Sequence, residues 1–143
     1  MKKVIKHQFF FPHPTETVWE YLTKSELMGL WLMKNNFQPT VGVDFQFRTN
    51  PIPSLEFDGI FYCRVLELVP FEKLSYSWQS GPGEGEITLD SVVVWQLQQT
   101  DKGTTLLLEH SGFDREENQN FYRGLTDGWV EKLQKIADLL NAA

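Results

Sequence analysis

A single cysteine, the lack of any long apolar run and the lack of a basic stripe already exclude several classes of protein. The lone thiol, Cys63, rules out an internal disulfide and a cysteine-rich zinc site, and it suits a reducing compartment. No stretch approaches the roughly 18 apolar residues of a membrane-spanning helix. The opening residues Met-Lys-Lys-Val-Ile-Lys-His-Gln carry no apolar signal core followed by a small-residue cleavage site. A cytoplasmic protein with no membrane partner is therefore expected. Basic residues are scattered singly or in short pairs, against a formal net charge of −6. Phosphate neutralisation dominates nucleic-acid affinity, so no nucleic-acid partner is expected either.

Chemical signatures are equally sparse. His7, His13 and His110 do not have metal-ligand spacing. Gly81 to Gly85 lies between strand-like segments and lacks the Lys-Ser or Lys-Thr ending of a phosphate-binding loop. Neither a His-Glu-x-x-His nor a Gly-x-Ser-x-Gly sequence is present. The expectation is no metal, no cofactor and, on balance, no enzyme. The sequence does not speak to oligomeric state.

Aromatic residues, by contrast, are abundant: 14% of the chain, including 5 Trp and 11 Phe. A chain of 143 residues fits one domain, 1–143, that buries a sizeable core without staples. So many rings imply a large aromatic core or a cavity lined by one.

Periodicity orders the chain. Val4 to Phe11 is a β-rich run ended by Pro12. Val18, Trp19 and Leu22 then share a helical face, with Pro14 placed for the first helical position and Ser25 placed to cap a second short helix to about Trp31. Val43 to Arg48 alternates as a half-buried strand, and Pro51 and Pro53 mark a loop. Phe57 to Val69, Leu74 to Trp78, Val92 to Gln99 and Thr104 to His110 read as further strands. Gly81 to Gly85 and Asp101-Lys102-Gly103 supply hairpin turns. Asp114 with Glu117 reads as a capping box. Phe121, Leu125, Trp129, Leu133, Ile136 and Leu140 then recur at three- and four-residue spacing, one apolar stripe along a long helix. Gly124 and Gly128 within it each cost roughly 1 kcal/mol relative to Ala, which points to close approach of another element or to room left beside the helix. Consecutive strands joined by short turns make an antiparallel sheet whose apolar face this helix must cover.

These segments resemble, in order, a known family. Pro14 to Thr23 with Val18-Trp19 and Leu22-Thr23, then Leu30-Trp31, is similar to its opening helices. Val65-Leu66-Glu67-Leu68-Val69-Pro70 with Leu74-Ser75-Tyr76-Ser77-Trp78 resembles its proline turn and following strand. Gly103-Thr104 through His110-Ser111-Gly112-Phe113, and Gly128-Trp129 with Leu133 and Leu140, resemble its last strand and closing helix. The family is the START-like (SRPBCC, helix-grip) group related to the C-terminal domain of the heat-shock-protein-90 ATPase activator. The resemblance implies an α+β fold: a curved antiparallel sheet of about six strands around a long C-terminal helix, with two short helices after strand one. Cys63-Arg64 stands where the family commonly has a glycine, and the Pro51–Pro53 loop is longer than usual.

The resemblance also implies a cavity between sheet and helix. Its candidate lining is Trp31, Phe45, Trp78, Trp95, His110, Phe121, Leu125 and Trp129, for a small hydrophobic or aromatic ligand. The loops at Asn35–Gly42 and Gly81–Gly85 are its expected entrance. For any single ring, plain core packing is the favoured reading. His110 alternates with Leu106 and Leu108 and should face the helix, as a ligand's polar anchor or, in the favoured reading, as a core histidine bonded to a backbone group or buried tyrosine. An enzyme pairing His110 with Glu67 or Glu109 is the weaker option. A chaperone-associated stress-response role is the alternative from a different class. Arg64 and Glu67 differ in strand parity, so one of them is expected to point inward. Cys63 reads as a small buried apolar residue.

Overall fold

The computed structural model describes residues 3–142. Strand β1 (Val4–Phe11) is followed by helices α1 (Thr15–Thr23) and α2 (Ser25–Trp31), then by strands β2 (Lys34–Asn35), β3 (Asp44–Arg48), β4 (Ile60–Val69), β5 (Lys73–Ser80), β6 (Leu89–Thr100) and β7 (Gly103–Ser111), and by helix α3 (Gln119–Ala142). All strands form one antiparallel sheet in the order β1-β7-β6-β5-β4-β3-β2. The first strand therefore pairs with the last, and the meander β2 to β7 carries the rest. This is the helix-grip arrangement, α+β, with seven strands rather than about six. The extra strand is the two-residue β2, which pairs with Phe47 and Arg48. A segment that short carries no periodicity to read.

Alternation places one residue set on the concave face. Phe45 and Phe47 of β3, Phe61, Cys63 and Val65 of β4, Tyr76 and Trp78 of β5, Val93 and Trp95 of β6, and Leu106, Leu108 and His110 of β7 are all buried. Helix α3 lays its stripe against this face, and Trp129, Leu133, Ile136 and Leu140 are buried beneath it. α1 buries Val18, Trp19 and Leu22, while α2 buries Met28 and Trp31. These residues join a single hydrophobic core.

Local details depart from expectation at the element ends. Pro14 is the N-cap of α1, in extended conformation, rather than its first helical residue. Ser25 opens α2 without capping it; its hydroxyl donates to Asn35 O at 3.0 Å. No capping box forms at Asp114: a 3-10 turn at Glu116–Asn118 precedes α3, and Glu117 pairs with Arg115 instead. Phe57 lies outside β4, in the loop that also holds the 3-10 turn Pro53–Leu55 and the Ile52–Phe57 bridge.

Neither Arg64 nor Glu67 enters the core. The β4–β5 register shifts between Val65 and Glu67, a bulge that inserts one residue and resets the parity beyond it. Both charges therefore reach solvent, Arg64 bonded to Asp44 and Glu67 to Lys73. A bulge has no residue signature here, so strict alternation misplaced one charge. Cys63 is buried, and desolvation pushes its thiol well above the ordinary range, which leaves it an unreactive apolar filler.

Candidate functional site between sheet and helix

The concave face is a continuous aromatic surface. Trp78 lies 4.3 Å from Phe61 and 5.2 Å from Phe47 between ring centroids, and Phe45 meets Tyr76 edge-on at 5.3 Å. Trp129 of α3 packs on it, 5.5 Å from Trp78 and 5.4 Å from Trp95, the latter edge to face. Trp31 of α2 closes the far side, edge-on to Trp95 at 6.0 Å, with its own N–H donating to Tyr21 O at 2.8 Å. The Trp95 N–H donates to the Tyr76 hydroxyl at 2.9 Å, and burial raises the Tyr76 pKa so that it stays a neutral phenol.

His110 sits at the centre of a directed hydrogen-bond chain. The Trp129 indole N–H, which can only donate, is 3.0 Å from His110 Nδ1. Nδ1 is thus the acceptor, and the neutral ring carries its proton on Nε2. That N–H faces Ser91 Oγ at 2.9 Å, and the Ser91 hydroxyl in turn donates to the Trp78 carbonyl at 2.6 Å. The chain runs from helix to sheet with every member satisfied. Burial lowers the His110 pKa from 6.5 to about 3, because a charged ring would lose its hydration. A proton on Nδ1 would also set two donors against each other.

This is the core histidine of the plainer reading, but its partners are a serine and a tryptophan rather than the expected backbone group or buried tyrosine. Neither proposed carboxylate reaches it. Glu67 sits on the bulge beside Lys73, and Glu109 is exposed opposite Lys6. With both ring nitrogens engaged, His110 positions α3 on the sheet rather than holding a proton for transfer.

Of the eight candidate residues, seven are buried in this aromatic body: Trp31, Phe45, Trp78, Trp95, His110, Phe121 and Trp129. Leu125 is only half-buried although its stripe neighbours one turn away, Phe121 and Trp129, are covered. Phe37, in the expected entrance loop, is buried edge-on against Phe45 at 4.9 Å, whereas Gln38 to Gly42 of the same loop are exposed.

Several residues of the site were not anticipated. Phe57 and Phe61 both pack on Phe121, at 5.6 and 6.3 Å. Phe61 and Phe47 could have been found by extending the alternation along their strands. Phe57, in a loop, and Ser91, a small polar residue at the start of a run of valines, gave no such signal.

Three buried polar atoms lack partners among the described residues: Trp78 Nε1, Ser80 Oγ and Gln119 Oε1. A surface hollow of about 650 Å³ lies instead on the outer face, beside Gln46, Tyr62, Arg64, Ser77 and Gln79. Its lining is polar, and Arg64 is held there by Asp44 at 2.6 Å, so it lacks the apolar character of the inner face.

The two helical glycines bear on how α3 is seated. A Cβ added at Gly124 or Gly128 would have nothing within 4 Å, so neither is required by close approach. The flank of the helix is open there. The double substitution Gly124→Ala/Gly128→Ala should therefore stabilise the fold by about 1–2 kcal/mol in urea unfolding. A loss of stability would show that the flank is occupied in solution.

Residues 12–141 match the family model described as "Activator of Hsp90 ATPase homolog 1-like protein". The chain belongs to that family. Among solved structures, protein MLL2253 from Mesorhizobium loti is 33% identical, with a TM-score of 0.87 over 99% of this chain and 98% of that one. CalU16 from Micromonospora echinospora shares the fold at 21% identity and TM-score 0.70, over 96% of this chain and 72% of that one. DynU16, a putative protein in the dynemicin biosynthetic locus, shares it at 23% identity and TM-score 0.77, over 96% of this chain and 47% of that one. No curated protein matches the chain. The family and its fold are consistent with ligand binding in a cavity. Among the described residues no helix is long and apolar enough to cross a membrane.

Proposed function

We propose that this member of the family binds a small hydrophobic or aromatic molecule between the sheet and α3. The observation that carries the reading is the thin cover at Leu125. Here the apolar stripe is only half-buried where it packs against the core, and the adjoining helix flank at Gly124 and Gly128 is open. Phe121, Leu125 and Trp129 would line the mouth, and Trp31, Phe45 and Trp95 the fixed wall behind it. The polar role expected of His110 falls to another group, since its ring nitrogens are spent on Ser91 and Trp129. A reducing, cytoplasmic setting suits the buried Cys63 thiol.

Such a ligand would enter by displacing side chains from contacts worth tenths of a kcal/mol per atom pair, which a loosely held helix segment permits more readily than a closed core. The exposed large apolar residues lie on separate elements, among them Phe10 on β1, Leu30 on α2, Leu66 on β4 and Val130 on α3.

Titration with naphthalene, followed by backbone and methyl NMR, should give saturable shifts at Phe121, Leu125 and Trp129. Leu125→Trp, which fills the mouth, should weaken binding by about tenfold or more, the loss expected when a steric clash removes ~1.4 kcal/mol. Shifts confined to the outer face at Tyr62 and Arg64, or none at all, would sink the proposal.

A further inference from the structure

The three unpartnered polar atoms belong to the last part of β5 and to the first residue of α3. Trp78 and Ser80 are two residues apart on β5 and so share the concave face. The same end of β5 is tied to the start of α3. Thr88 N donates to Ser80 O at 2.9 Å, and Asn118 Nδ2 donates to Thr88 O at 2.9 Å. Gln119, next to Asn118, spends its amide N–H groups on Phe113 O and Arg115 O, which leaves Oε1 buried and free. Phe61 links Trp78 to Phe121 across the gap, so the Trp78 indole sits among apolar rings.

Buried polar groups in native proteins are almost always paired. The Trp78 and Ser80 side chains are both fully buried, so their orphan atoms cannot turn to solvent. Resting on the pocket reading above, we propose that Trp78 Nε1 and Ser80 Oγ, with Gln119 Oε1 at the rim, form a subsite for the hydroxyl of a neutral aromatic ligand. The donor inventory sets the class. An indole N–H only donates, so the ligand atom must accept; an amide oxygen only accepts, so the ligand must also donate. A hydroxyl does both, with Ser80 free to complete either direction. A carboxylate or phosphate fails on two counts. It would bring charge into an apolar region without a cation, because the neighbouring Arg115 is exposed and paired with Glu117, and it would meet the Gln119 oxygen.

The test compares toluene, p-cresol and 4-methylbenzoate, which share a ring and a methyl group and differ in the polar substituent. Binding is followed by NMR on the indole N–H of Trp78, assigned through its loss in Trp78→Phe. p-Cresol should bind at least about tenfold more tightly than either of the others, as expected when a buried donor gains its missing partner, and it alone should move the Trp78 indole resonance downfield. In Trp78→Phe, or in Ser80→Ala if the first variant does not fold, the ratio of p-cresol to toluene affinity should fall toward one. Equal binding of toluene and p-cresol would overturn the hydroxyl subsite, with a water then completing these atoms, and would leave the pocket reading intact. Binding of none of the three would overturn both.

Discussion

Replacing His110 with leucine should flatten the acid limb of the protein's stability. In the parent, the folded ring has its pKa lowered to about 3 while the unfolded ring keeps the ordinary value of 6.5. Between these values the unfolded chain binds one more proton than the folded one. Stability therefore rises with pH in this window, and the contribution is full above about 6.5 and lost as pH falls toward 3. The slope from this one group approaches about 1.4 kcal/mol per pH unit, and the whole window is worth on the order of 5 kcal/mol. His110→Leu removes that slope. It also leaves the Trp129 N–H buried without an acceptor, so at pH 7 the variant should be less stable by about 2–4 kcal/mol. Urea unfolding of both proteins from pH 3.5 to 7.5 makes the comparison, with carboxylate effects common to the two. A variant that kept the parent's slope would show that His110 does not stay neutral in the fold.

Trp129→Ala should be the most damaging single truncation at the helix-sheet boundary. It deletes the ring that packs on Trp78, Trp95 and His110, and it strips His110 Nδ1 of its donor. A loss of about 3–5 kcal/mol is expected from cavity formation alone. The hole would be apolar and ring-shaped, a kind of cavity that can stay dry and bind aromatics. Adding indole should therefore raise the variant's Tm by several degrees through binding to the folded state, with little effect on the parent. A loss below about 1 kcal/mol would mean that α3 is seated by its C-terminal half, through Leu133, Ile136 and Leu140.

Together these experiments separate two roles that one surface combines. The hydrogen-bond chain Trp129–His110–Ser91–Trp78 O joins helix to sheet and is fully satisfied, so it belongs to stability. Ser80 is tied to the start of α3 through Thr88 and Asn118, and Leu125 is the half-buried point of the stripe. Trp78 takes part in both, its backbone carbonyl ending the chain and its indole N–H without a partner among the described residues.

The readable part of this protein was its periodic part. Two-residue alternation identified Trp78, Trp95, Leu106, Leu108 and His110 as inward-facing, and the three- and four-residue spacing from Phe121 to Leu140 identified the stripe that meets them. Those are local constraints of backbone geometry, carried by each segment alone. The order of the segments, with the resemblance they carry, was enough to place the long helix over the sheet.

Partnership was decided elsewhere. Ser91 and Trp129 each stand 19 residues from His110 in the chain, and only the β6–β7 register and the docking of α3 bring their polar atoms to its two ring nitrogens. The bulge at Val65–Glu67 likewise arises from pairing between strands, so it turned Glu67 outward against the alternation of its own segment. Spacing and segment order, with the family resemblance they carry, determined a sheet gripping a helix and which faces meet. Tertiary structure alone determined that His110 is a neutral link between them and that the indole of Trp78 is left without a partner, because hydrogen bonds depend on where two separate elements come to rest.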